Sequence, residues 1–268
     1  MARFDLRAMA MRANPGRRKR TVTFRDITPP ATLATNLFQS GYSPVIAMWT
    51  RYADRIIAEY ERTLSELITD APADINATLD AADSELQRLL LILRPAMRDW
   101  TVRVEGWFRG KWIGAALAAS KVDLTTLLGP EDVQQTLEQV LEWNTNLVVD
   151  VSTQTRQRIS NAVFAGLTNR TPAREVARDI REATGMARDR SLRIASDQLQ
   201  KLSGALASER RRQASLTLWE WRSSHKKHFR REHAARDGKV YTDETAPKDL
   251  PSQLPYCGCR ERAVLTFE

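Results

Sequence analysis

The hydrophobic positions in the first half of the chain recur every three or four residues, which is the period of an α-helix. One such stripe runs from Tyr42 to Leu67 and a second from Ile75 to Val104. Pro95 is expected to kink or break the second stripe, because proline lacks a backbone N–H. Further helices are predicted over residues 106–128 and 131–151. These stripes can pack against one another or dock on other subunits, and packing within the chain is the default expectation.

Shorter helices are predicted between residues 153 and 214. Thr171 and Pro172 suit the start of a helix, as N-cap and first helical residue, and Gly185 is expected to end that helix. A longer helix follows as far as Ala214. Two helices joined by a turn also suggest a DNA-binding helix-turn-helix, but the joining segment 166–172 is longer than the turn of that motif.

After Ala214 the period changes to alternation, which predicts a strand with Trp219 and Trp221 on one side. Asp237-Gly238 is a hairpin signal leading to a second strand, and residues 263–267 can form a last strand. Residues 242–256 are expected to form an irregular loop. The predicted fold class is therefore mainly α: an N-terminal helical bundle or extended helices, then a small α+β C-terminal module with an antiparallel sheet.

This pattern divides the chain into three segments. Residues 1–40 are predicted to be a basic N-terminal arm, extended or disordered. Residues 41–152 form a predicted helical domain. Residues 153–268 form a predicted C-terminal domain, with helices over 153–214 and the small sheet and loop over 215–268.

Composition is that of a globular protein of 268 residues, 42% of them hydrophobic. The longest apolar run, residues 89–93, is far shorter than the roughly 18–20 residues of a membrane span. The two cysteines are too close in sequence for a disulfide framework, which favours a reducing compartment.

The net charge of +8 favours an anionic partner. Residues 1–20 carry seven basic side chains against one acidic side chain: Arg3, Arg7, Arg12, Arg17, Arg18, Lys19 and Arg20. Such an arm can neutralise phosphates of double-stranded DNA without sequence preference. It could equally be a solvated terminus without a partner.

A second basic region covers residues 188–236, where Trp219, Trp221 and Phe229 lie among the charges. Basic and aromatic side chains together can bind single-stranded nucleic acid by stacking. The aromatic residues are more simply explained as the core of the small sheet, with the charges on its solvated face.

All three histidines and both cysteines fall in the last 44 residues. His233, Cys257 and Cys259 could bind zinc, with His225 or His228 as a fourth ligand. Two ligands spaced as Cys-x-Cys are unusual, however, and a disulfide across one residue would be strained. The residues could also form a redox pair or a buried, hydrogen-bonded cluster without metal. A Cys–His nucleophile lacks an evident third group and oxyanion loop.

The order of short motifs in the last third resembles the phage Mu protein F type of head-morphogenesis protein. The segments Trp143–Leu147 and Ala165–Pro172 look like that family too. The motif residues that carry the resemblance are Asp197, Gln198, Trp221, Ser224, Arg230, His233, Gly238, Pro255, Cys257 and Cys259. The chain departs from the family pattern at Lys226, His228 and Gly258, where the family has an acidic residue and two arginines.

The resemblance implies a minor capsid protein of a tailed phage, without catalytic residues. Such a protein binds the portal protein and the major capsid or scaffold protein during procapsid assembly. It would form oligomers through the portal, contact packaged DNA, and end in the virion after assembly in the host cytoplasm. The resemblance implies no cofactor, apart from the zinc considered above. The alternative is a DNA-binding or DNA-processing factor that uses the basic arm and the C-terminal basic region.

Overall fold

The computed structural model describes residues 3–16, 20–66, 71–227 and 229–267. Its α-helices are α1 (Leu6–Ala13), α2 (Ala31–Leu37), α3 (Ser43–Glu66), α4 (Ala71–Ser120), α5 (Gln134–Asn169), α6 (Ala173–Gln213) and α7 (Arg231–Ala234). Its strands are β1 (Thr21–Thr23), β2 (Leu218–Arg222), β3 (Val240–Tyr241) and β4 (Arg260–Thr266). The predicted fold class, mainly α with a small antiparallel sheet near the C-terminus, is confirmed.

The chain forms two compact units, each built from separate stretches of sequence. The sheet unit comprises Met1–Leu33, Trp100–Val140 and Ser196–Glu268. The helical unit comprises Ala34–Asp99 and Leu141–Ala195. These units do not coincide with the three consecutive segments expected from the sequence, and the division at residues 40 and 152 stays a prediction.

In the helical unit, the apolar stripe of α3 is buried, including Trp49, Ile56 and Tyr60. The Trp49 indole N–H donates to the Ser152 hydroxyl at 2.7 Å, so α3 is fixed to α5 by a buried polar contact as well as by apolar packing. The stripes of the sequence are therefore used largely for packing within the chain.

The sequence predicted a kink or a break at Pro95, and the break is wrong, because α4 continues through Pro95 from residue 71 to residue 120. Pro95 and Leu91, whose carbonyl loses its helical partner, lie on the exposed face of α4. Water can hydrate that carbonyl there, while Leu93 and Met97 remain buried on the other face. The helices predicted over 75–104 and 106–128 are thus one helix as far as Ser120.

The short helices expected over residues 153–214 are also wrong, since α5 and α6 have 36 and 41 residues. Gly185 lies inside α6 on its exposed side, where a glycine need not end a helix. The turn between α5 and α6 occurs where the sequence predicted it. At that turn, a Cβ on Gly166 would come within 2.7 Å of the Tyr60 hydroxyl, which itself donates to the Thr171 carbonyl oxygen.

In the sheet unit, the four strands lie in the order β1-β4-β2-β3, and each neighbouring pair is antiparallel. Trp219 and Trp221 of β2 are buried on the same face, as the alternation predicted. The last strand starts earlier than expected, at Arg260, because its charged first residues find partners. The Arg260 guanidinium donates two hydrogen bonds to the Asp26 carboxylate, at 2.6 and 2.8 Å.

The N-terminal residues are more ordered than the expected extended or disordered arm. Leu6 and Ala10 lie on one face of α1 and are buried, while Asp5 caps that helix by accepting a hydrogen bond from the Ala8 N–H. Strand β1 then pairs with β4, with Val22 opposite Leu265. The sequence shows little of this order, because only two residues of α1 are buried and the others include two basic side chains, Arg7 and Arg12.

Among the described residues, no helix is both long enough and apolar enough to cross a membrane.

Candidate functional site

The structure brings together His233 of α7 and both cysteines of the loop that enters β4. The Cys257 and Cys259 sulfurs lie 3.4 and 3.6 Å from the same atom, Nδ1 of His233. All three side chains are buried, and both cysteines are free thiols. In the extended Cys-Gly-Cys segment, residues two apart point to the same side, so both sulfurs can face one imidazole.

The far side of the His233 ring is held by a carboxylate. Nε2 of His233 lies 2.8 Å from Oδ2 of Asp249, and Arg236 donates to Oδ1 of the same carboxylate at 2.8 Å. An ionised Asp249 can only accept, so Nε2 carries a proton, and Nδ1 is the ring nitrogen that faces the sulfurs. The edge of His233 also meets the Trp221 ring, with centroids 5.1 Å apart.

Several motif residues hold the cysteine loop in place. The Asp197 carboxylate accepts from the Tyr256 N–H at 2.6 Å, and Arg230 donates to the Pro255 carbonyl oxygen at 3.1 Å. Ser252 donates to the Cys259 carbonyl oxygen at 2.7 Å. These contacts fix the backbone on both sides of Cys257, so the two sulfurs are held in place before any ligand binds.

The remaining motif residues shape the sheet beside the cluster. Gly238 has a positive φ of 76°, and its N–H donates to the Trp221 carbonyl oxygen at 2.8 Å. That turn favours glycine and returns the chain along β2. Ser224 lines the pocket next to the cysteines, whereas Gln198 is buried in α6.

The two thiols differ in acidity although they are neighbours. The pKa of Cys257 is lowered to about 5, because the Cys259 thiol donates a hydrogen bond to it against the opposing effect of burial. Backbone N–H groups of Cys259 and Ser252 add to this lowering. The pKa of Cys259 is raised by its contact with Cys257 and by burial. The site therefore favours a thiolate at Cys257 while Cys259 keeps its proton.

An open pocket of about 480 Å³ adjoins the cluster. Lys227 and Arg230 line it together with Phe229 and Tyr256, whose rings are more than half exposed. The pocket is thus basic and aromatic at its mouth and sulfur-lined at its base.

His225 does not belong to the cluster. His225 is exposed, and its Nε2 lies 3.2 Å from the Asp237 carboxylate. His228 lies outside the described residues. The sequence analysis did not identify Asp249, which contacts His233, because Asp249 lies in a loop that has no periodic pattern. The contact between Asp249 and Arg236 was not predicted for the same reason.

The predicted DNA-binding residues of the N-terminal segment differ in their surroundings. Arg3 forms an ion pair with Asp132. Arg7 and Arg12 are exposed on α1, and Arg20 is exposed just before β1. Arg17, Arg18 and Lys19 lie outside the described residues.

Two arginines of the second basic region are buried and form ion pairs inside the sheet unit. Arg210 is fully buried, 2.7 Å from Glu105 and 3.3 Å from Asp132. Arg211 is also buried and contacts Glu261 and Asp243. Their charges are neutralised internally, and Trp219 and Trp221 are core residues, so these four residues offer little to nucleic acid.

Comparison with known proteins agrees with the motif order. Residues 157–262 match the family model described as phage Mu protein F like protein, which confirms the resemblance seen in the motif order. An uncharacterized protein of Haemophilus influenzae is 24% identical over 147 residues, or 54% of this chain and 33% of the relative. The chain thus spans about a third of the length of that curated relative. No solved structure gives a significant match.

Proposed function

We propose that this protein is a minor head-morphogenesis protein of a tailed phage, which binds portal and capsid or scaffold proteins while the procapsid assembles. The observation that carries the proposal is the match of residues 157–262 to the phage Mu protein F like family. The protein acts by binding rather than by catalysis. It assembles in the host cytoplasm, becomes part of an oligomer through the portal, and remains in the virion.

The helical unit supplies the docking surface in this proposal. The apolar faces of its helices are mostly buried within the chain, so a partner must bind the outer faces of the helices. On the outer face of α4, the neighbouring side chains of Leu91 and Ile92 are 76% and 70% exposed. A partner that covers these two side chains removes apolar surface from water, which lowers the free energy of the complex.

Co-purification with the portal ring of the same phage tests this function. A tagged portal should retain the chain, and Leu91→Ser with Ile92→Ser should reduce the retained amount several-fold. The matched control is Met186→Ser with Leu192→Ser, which changes two other exposed apolar residues of the helical unit. A wild-type chain that never binds the portal ring would overturn the portal role. Equal loss in both double variants would remove the α4 docking surface.

Contact with packaged DNA is the second part of the proposal. The net charge is +8, and α1 presents Arg7 and Arg12 to solvent. Phosphate contacts of this kind are independent of sequence and weaken with salt. They suit a protein that sits beside packaged DNA without selecting a site on it.

A further inference from the structure

The two sulfur–nitrogen separations in the cluster match those across a tetrahedral metal ion. Bond lengths of about 2.3 Å for Zn–S and 2.0–2.1 Å for Zn–N imply an S···N separation of about 3.6 Å across a tetrahedral ion. The observed separations from His233 Nδ1 are 3.4 Å to Cys257 and 3.6 Å to Cys259. All three ligand atoms lie within 4.8 Å of one another.

The contact between His233 and Asp249 is the arrangement that orients a metal-binding histidine. A ligating imidazole commonly donates its other N–H to a carboxylate, which fixes the tautomer and the ring plane. Here Nε2 faces Asp249, and Arg236 holds that carboxylate through its other oxygen. This contact is independent of the cysteines, and it turns Nδ1, which carries the lone pair in the neutral ring, towards both sulfurs.

The surroundings of the cluster leave one coordination position open. Trp221 closes one side of the cluster, while the pocket lined by Ser224, Lys227 and Arg230 opens on the other. A water molecule can reach the cluster from that pocket. Among the described residues, the protein thus provides three ligands, and solvent can provide the fourth.

We propose that His233 Nδ1, Cys257 Sγ and Cys259 Sγ bind one Zn²⁺ ion, with water from the pocket as the fourth ligand. Two thiolates and a neutral imidazole balance the charge of the ion. Sulfur and imidazole ligands in a tetrahedral set favour zinc over magnesium or calcium, which take oxygen ligands. The ion joins α7 to the end of the loop of residues 242–259, directly before β4, so it fixes the end of the sheet unit.

Metal content of the full-length chain is the first test. The protein is purified without a histidine tag under reducing conditions from zinc-supplemented medium, dialysed, and analysed by mass spectrometry for metals. About one zinc per chain is expected. After removal with a chelator, added Co²⁺ should give the intense visible bands of a tetrahedral site and a thiolate-to-cobalt charge-transfer band. Absence of both zinc and the cobalt spectrum would overturn the proposal and leave a buried thiol cluster.

Variants locate the ion. Cys257→Ser and Cys259→Ser should each abolish the charge-transfer band or shift it as one sulfur is lost. Asp249→Asn keeps all three ligands and should weaken zinc binding 10–100-fold. His225→Ala is the matched control, since it removes a histidine that the structure places on Asp237, and it should retain full zinc content.

The outcomes are distinguishable even where a cysteine variant fails to fold. Asp249→Asn and the cobalt spectrum of the wild-type chain then decide the question. Zinc that persists in a folded double cysteine variant would assign the ion to another place and contradict the site. None of these readouts requires portal or capsid proteins, so the zinc site can fail while the proposed head function stands, or the reverse.

Discussion

At the scale of single residues, the charge of a side chain says little about where it lies. Arg210, Arg211 and Arg212 are consecutive in α6 and look like a nucleic-acid patch in the sequence. Only Arg212 is half exposed, while Arg210 and Arg211 are buried against acidic residues from distant parts of the chain. No local pattern marks Glu105 or Glu261 as their partners, so sequence reasoning could not separate these arginines.

Replacing Arg210 tests this internal role. Arg210→Met leaves the buried carboxylates of Glu105 and Asp132 with less compensation, and breaking such a network costs about 3–5 kcal/mol. Chemical denaturation should show that loss of unfolding free energy. Arg212→Met, which removes an exposed partner of Glu209, should change it by less than about 1 kcal/mol. Equal effects of the two substitutions would contradict the buried network.

The His/Cys cluster could be predicted from the sequence, whereas the side chains that orient His233 could not. The chain gathers its two cysteines and three histidines in one short region, so a shared site was a natural prediction. Asp249 and Arg236, which orient His233, show no periodicity or spacing that points to the ring. The proposal of a metal site therefore depends on the distances within the folded structure, because the residue types alone do not show them.

At the scale of elements, the periodicity of the sequence identified the helices. The predicted helix ends at Pro95 and Gly185 were wrong. Pro95 and Gly185 are intrinsic helix breakers, yet both lie on exposed helical faces while buried stripes continue past them. Tertiary packing outweighs a local cost in such positions. Strand β1 was missed because it has three residues and gains its partners only from β4, over two hundred residues away.

The N-terminal elements carry a prediction about DNA. Wild-type protein should bind duplex DNA weakly, without sequence preference, and with a log–log salt slope of roughly −5 if the six net charges of residues 1–20 meet phosphates. Substitution is a sharper test than deletion of residues 1–20, because the deletion would also remove α1 from the sheet unit. The informative variant replaces four arginines with glutamine: Arg7, Arg12, Arg17 and Arg18.

This variant should flatten the slope by roughly 3.5, since each phosphate that is no longer neutralised accounts for about 0.9. A matched control replaces four exposed arginines of α6 with glutamine: Arg174, Arg178, Arg181 and Arg188. The control should retain most of the wild-type slope. If the N-terminal variant binds with an unchanged slope, the basic terminus serves some other partner.

At the scale of the whole molecule, fold class was predictable and the division into units was not. Long helical stripes followed by alternation are enough to indicate a mainly α chain with a terminal sheet. The sheet unit, however, joins the two ends of the sequence to residues 100–140, and the helical unit takes the stretches between. Such assembly depends on contacts between distant segments, which periodicity along one chain does not encode.

The most direct test of the head-assembly account is incorporation of the chain into procapsids. The chain is co-expressed with capsid, scaffold and portal proteins of its phage, and particles are separated on a density gradient. The account predicts that the chain sediments with particles that contain portal and is depleted from particles made without portal. A chain that stays at the top of the gradient in both cases, while complete procapsids form, would contradict the account.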